Sequence, residues 1–109
     1  MIVRWLVILS LTFALSGCKD SSQESAKTGP DPNRGRRVYL ANCTACHNAD
    51  PSKEGSAGPP VKGSSTELLE EKVLRSRYPA GYKPKRKTSA MPSYPHMKSA
   101  TPDLAAYLQ

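Results

Sequence analysis

Hydrophobic positions along this chain fall into separated groups whose spacing changes from one to the next. Trp5 to Leu15 is a nearly unbroken apolar run behind Arg4. From Lys19 to Pro30 the pattern reverses to Ser, Lys, Gln, Glu, Gly and Pro, with Ala26 as the one aliphatic side chain. Such a stretch buries too little apolar surface to offset the entropy of ordering, so it reads as a flexible tether. Beyond it the spacing becomes helical. Asp31-Pro32 has the form of a helix start, Asp as N-cap and Pro in the first turn, and predicts a helix through Asn42. Ser64-Ser65-Thr66-Glu67 has a Ser-x-x-Glu capping-box pattern. Leu68, Leu69, Val73 and Leu74 then form an apolar face, with Glu67, Glu70, Glu71 and Lys72 outside, and this helix is expected to end before Tyr78-Pro79. Thr101-Pro102 repeats the cap-and-proline start, with Thr101 as N-cap, for a last helix whose Leu104, Tyr107 and Leu108 share one face. The residues from Ala80 to Ser99, rich in Pro, Gly and Lys, read as loop. No β-rich run interrupts this order, and the predicted class is all-α.

Gly35 stands inside the first predicted helix, where glycine costs about 1 kcal/mol relative to alanine. Close approach by another helix accounts for it. The N- and C-terminal helices are therefore expected to cross at Gly35, with Tyr39 and Tyr107 packed beside the contact. Residues 31–109 make one small domain without internal repeats, short for a self-sufficient core. Its apolar side chains are few: the sole Phe and sole Trp, Phe13 and Trp5, both precede it.

The missing core has a candidate in Cys43-Thr44-Ala45-Cys46-His47. Cys-x-x-Cys-His is the attachment pattern of c-type haem: each thiol forms a thioether to one vinyl group, and the adjacent imidazole reaches the iron. One covalent haem c would fill the centre of the domain. Competing readings are a chance match, a zinc half-site and a thioredoxin-like redox pair. Zinc of the finger type needs two more ligands at tight spacing, and the remaining cysteine and histidine, Cys18 and His96, are remote. A redox pair belongs at a strand-to-helix junction, and no strand pattern flanks the motif.

Haem attachment of this kind occurs outside the cytoplasm, which the N-terminus supports. The apolar run is shorter than the roughly 20 residues that span a bilayer and has the form of a signal-peptide h-region. Leu15-Ser16-Gly17-Cys18 resembles a bacterial lipobox, so residues 1–17 read as a lipoprotein signal peptide, Cys18 as the acylated residue, and residues 18–30 as anchor and tether. An ordinary secretory signal, with Cys18 left as an odd thiol, is the alternative. The lipoprotein reading places the domain on the periplasmic side of a bacterial membrane. Twelve tether residues reach roughly 20 Å in the root-mean-square sense.

A helix with Gly and an aromatic residue, Cys-x-x-Cys-His, the Gly58-Pro59-Pro60 loop, Met91-Pro92 and a last helix ending Ala106-Tyr107-Leu108 together resemble a class I monohaem cytochrome c over residues 31–109. The resemblance implies the small cytochrome c fold, crossing terminal helices plus at least one middle helix around the haem. It also implies that the Pro59 carbonyl accepts a hydrogen bond from the axial His47. Met91, Met97 and His96 are the candidates for sixth ligand, and the Met-Pro signature falls on Met91. Thioether sulfur favours reduced iron and suits electron carriage. Some family members contact a haem propionate through an indole; with no tryptophan in residues 31–109, Tyr78, Tyr82 or Arg77 are the substitutes.

The implied function is that of a single-electron carrier, not an enzyme, shuttling between respiratory-chain partners as a lipid-anchored monomer. Alternatives are a haem enzyme or gas sensor with an open sixth site, and a haem-relay subunit of a larger membrane oxidoreductase. Charge adds a partner. The chain carries a formal net charge of +7, with Arg4 the one basic residue ahead of Cys18, and no acidic residue lies between Lys72 and Pro102. Lys72, Arg75, Arg77, Lys83, Lys85, Arg86, Lys87 and Lys98 fall there, fit to steer an acidic redox partner or to meet anionic lipid, unless they form a merely solvated loop. Nucleic acid is not an expected partner outside the cytoplasm.

Overall fold

The computed structural model describes residues 29–109; the signal-like run, Cys18 and most of the tether lie outside the described residues. Helix α1 spans Pro32–Asn42, α2 Thr66–Arg75 and α3 Thr101–Leu108, with a short 3₁₀ helix, Pro95–Ala100, leading into α3. None of the described helices is long and apolar enough to cross a membrane.

Asp31 caps α1 as its sequence predicts, its carboxylate accepting the Asn33 N–H at 2.8 Å. The helix then crosses α3 at Gly35. A Cβ on Gly35 would overlap the Asp103 carbonyl and lie 2.9 Å from the Tyr107 Cβ, so only glycine admits this approach. Tyr39 and Tyr107 pack beside the crossing, ring centroids 5.5 Å apart and tilted by 51°. Tyr39, Leu69, Val73, Met97, Leu104, Ala105 and Leu108 form the buried apolar cluster. α2 contributes Leu69 and Val73 to it, which is the apolar face expected of that helix, with Leu68 and Leu74 half-buried beside them.

Two predicted caps sit elsewhere. Ser65, not Ser64, is the N-cap of α2 and accepts the Leu68 N–H at 3.1 Å. Ser64 is buried and turns its hydroxyl to the Val61 carbonyl, 2.5 Å away. At the other end, Thr101 is the first residue of α3 rather than its cap, because the 3₁₀ turn already supplies helical backbone before it. Its buried hydroxyl donates to the Met97 carbonyl at 3.1 Å. The 3₁₀ helix also occupies the end of the stretch expected to be loop.

An ion pair ties the two terminal helices. Arg34 donates through Nε and Nη2 to the two carboxylate oxygens of Asp103, at 2.9 and 3.0 Å, and Asp103 also accepts the Asp31 N–H at 2.7 Å. The Arg34 hydrogen bond holds the Asp103 carboxyl below its usual range. A carboxyl whose folded pKa is depressed stabilises the fold above its unfolded pKa, and that stabilisation is lost as pH falls through the folded value. Chemical denaturation of wild type and Asp103→Asn across the acid range checks this. The variant is expected to be less stable at neutral pH, and the gap is expected to close below the ordinary carboxylate value of 3.8.

Candidate functional site

The cysteine turn continues directly from α1. Cys43 N–H bonds to the Tyr39 carbonyl at 2.9 Å, and the His47 N–H closes back on the Cys43 carbonyl at 2.9 Å. This tight turn brings Cys43, Cys46 and His47 onto the wall of one cleft, with Pro59, Val61, Leu68, Val73, Met91 and Met97 among its other lining residues. The lining is predominantly apolar. Both thiols are free, Cys43 half-buried and Cys46 exposed. Burial pushes the Cys43 thiol up to about 11, so it stays protonated at neutral pH, unlike the low-pKa thiols of redox Cys-x-x-Cys pairs. Among the described residues no group of three or more His, Cys, Asp or Glu side chains is arranged to hold a metal ion.

His47 is fixed from behind. Its Nδ1 donates to the Pro59 carbonyl at 3.0 Å, which leaves Nε2 as the nitrogen with a free lone pair. The segment 55–58 holds that arrangement. Ala57 and Gly58 N–H groups both donate to the Cys46 carbonyl, at 3.1 and 2.9 Å, and the Ser56 hydroxyl donates to the Ala45 carbonyl at 3.1 Å. Gly58 is buried against the imidazole, where a Cβ would overlap the ring atoms Nδ1 and Cε1. The proline loop therefore reaches the ring only because residue 58 lacks a side chain.

The three candidates for the opposite ligand part company in the structure. Met91 is half-buried on the cleft wall, and its carbonyl accepts from the Ser76 hydroxyl at 2.6 Å. Met97 also touches the cleft but is 7% exposed and belongs to the core cluster. His96 is exposed, set edge-on to Tyr94 with centroids 6.1 Å apart, and does not line the cleft.

Tyr78 and Tyr82 do line it, stacked at 5.3 Å with Lys72 Nζ 4.2 Å from the Tyr78 centroid. Arg77 instead points to Glu71, at 3.0 Å, which Arg75 also contacts at 2.7 Å. The basic stretch is thus partly neutralised. Arg86 pairs with Glu54 at 3.2 Å and donates to the Ala57 carbonyl, and Lys85 donates to the Pro60 carbonyl at 2.8 Å. These two side chains strap the basic loop onto the proline loop, a role that spacing alone did not signal. Lys83, Lys85, Lys87 and Lys98 are exposed and make no ion pair among the described residues.

The residues fit a covalently attached haem: two unpaired thiols on one turn, an imidazole pinned through Nδ1, and an apolar cleft lined by the thioether side chains of Met91 and Met97. Residues 30–108 match the family described as cytochrome c oxidase, cbb3-type, subunit III. No curated protein and no solved structure matches the chain.

Proposed function

The chain belongs to the family of the cytochrome c oxidase, cbb3-type, subunit III, a cytochrome c domain whose chemistry is haem-based electron transfer, and from that premise we propose that it is a lipid-anchored single-electron carrier with one haem c held by His47 and Met91. The observation that carries this reading is the His47 imidazole fixed at 3.0 Å by Pro59 on a cleft that also presents Met91. Bound haem c supplies an iron that gains and loses one electron.

The chain's residues do the rest. Cys43 and Cys46 would hold the group through two thioethers, so that it stays with the chain. The hydrogen bond to Pro59 orients the imidazole and raises its basicity as a ligand. Met91 would provide a weak sulfur ligand that favours the reduced state. Leu68, Leu69, Val73, Leu104 and Leu108 keep the cleft apolar and limit the solvent rearrangement that a change of charge demands. Lys83, Lys87 and Lys98 suit approach to an acidic redox partner, with an association rate that falls as salt rises. Acylated Cys18 and residues 19–30 tether the domain to the periplasmic side of a bacterial membrane.

The oxidised spectrum tests the ligand pair. A weak near-red methionine-to-iron charge-transfer band is expected in the wild type, lost in Met91→Ala and kept in Met97→Ala. High-spin iron in the wild type would overturn the carrier reading in favour of an open sixth site. The family's description as an oxidase subunit favours one second reading, a haem relay within a membrane complex. Stoichiometric co-purification with an oxidase after detergent extraction would select it.

A further inference from the structure

The segment that bears Met91 is fastened to the end of α2 at the methionine and again three residues beyond it. The Ser76 hydroxyl donates to the Met91 carbonyl at 2.6 Å. The Tyr94 N–H donates to the Val73 carbonyl at 2.6 Å. Ser76 makes its bond from an unfavourable backbone. It caps α2 at φ 54 and ψ 34, the one non-glycine residue with positive φ among the described residues.

In that left-handed region the Cβ of an L-residue crowds the main chain, and helices that end this way usually place Gly or Asn there. Glycine would serve the helix end equally well, since the cap bonds from the residue 76 N–H to the Glu71 and Lys72 carbonyls are main-chain. What glycine cannot supply is the hydroxyl. An outlier of this kind points to a use for the side chain that causes it. The use is visible: between α2 and the 3₁₀ helix the chain has no regular structure, and a methionine there has three side-chain torsions and a backbone outside any helix to order before its sulfur can act as a ligand.

We propose that Ser76 is the positioning residue for Met91, its hydroxyl holding the Met91 main chain against the end of α2 so that the thioether remains on the wall of the cleft that His47 also lines. The inference rests on the reading that Met91 is the sixth ligand. Ser76 does not touch the iron; it sets how well a weak ligand competes for it. Removing the hydroxyl frees the loop and lowers the effective concentration of sulfur at the metal.

Two variants separate this role from a merely structural one. Ser76→Gly removes the hydroxyl and relieves the backbone, whereas Ser76→Ala removes the hydroxyl and keeps the strained Cβ. In the full holoprotein, both are expected to weaken the near-red band and to raise the affinity of the ferric form for added imidazole by roughly three- to tenfold, the value of one net hydrogen bond. Ser76→Gly is expected to do so with a thermal midpoint at or above that of the wild type, so the result does not depend on Ser76→Ala folding well. Loss of the band in Met91→Ala together with unchanged imidazole affinity in both Ser76 variants would overturn the positioning role alone. Survival of the band in Met91→Ala would overturn the ligand reading and this inference with it.

Discussion

Gly58→Ala is expected to separate His47 from its acceptor and to reduce the yield of stably ligated haem protein, although the substitution adds a single methyl group. The added carbon would occupy space already filled by Nδ1 and Cε1 of the imidazole. Only two adjustments are open. If the ring moves, the 3.0 Å bond from Nδ1 to the Pro59 carbonyl is lost, and with it the force that fixes the tautomer and the ring plane. If the loop moves, the Ala57 and Gly58 N–H groups leave the Cys46 carbonyl, and the turn carrying both cysteines loses its support. Loss of an outer partner of a metal-bound histidine typically costs about 10- to 100-fold in metal affinity or activity. Covalent haem per mole of purified chain, together with the reduction midpoint, measures the effect. A variant with wild-type haem content and midpoint would show that the proline loop does not govern the histidine.

Gly35→Ala is the second large effect, and it acts on the fold. In an isolated helix the change would help by about 1 kcal/mol, through intrinsic propensity. Here the new Cβ meets the Asp103 carbonyl and the Tyr107 Cβ, the first being main chain of another helix that has no rotamer to change. α1 and α3 must move apart. Separation also loosens the Tyr39–Tyr107 contact and the paired hydrogen bonds from Arg34 to Asp103. Overpacking of this kind costs about 1–3 kcal/mol and occasionally more, and the rigid neighbour puts the net loss near the upper end, about 2–3 kcal/mol. A lower denaturant midpoint with unchanged slope is the expected signature. Equal or greater stability would mean that the helices do not meet at Gly35 in solution.

The two substitutions test features of different legibility. Gly35 was readable because a costly residue in a helix pattern needs a compensating contact, and the C-terminal helix, which buries little alone, had an apolar face to supply it. Gly58 was readable only as part of a Gly-Pro loop; that its missing Cβ makes room for the imidazole follows from the folded path of the chain. The cap positions show a similar limit. Ser64 and Ser65 are adjacent and chemically equal, and the choice fell to Ser65 because Ser64 is buried and satisfied by Val61. Thr101 lost its predicted capping role because the 3₁₀ helix before it leaves no non-helical backbone to cap. Charge was the least transferable reading. Eight basic residues in a stretch without acids looked like one patch, but Arg75 and Arg77 share Glu71, and Arg86 reaches Glu54, an acid from outside the stretch.

Local chemistry by itself determined the three helices, the glycine at their crossing and the cysteine-histidine turn, since each depends on residues close together along the chain, where side-chain period, cap chemistry and covalent spacing act directly. It also limited the methionine and histidine candidates to three. Only the tertiary structure decided which of them stand on the cleft: Met91, fastened to the end of α2 through Ser76, and Met97, which also belongs to the core, with His96 left outside. That decision required contacts between segments far apart in sequence, where excluded volume and the satisfaction of individual hydrogen bonds select one arrangement among many that the linear pattern permits.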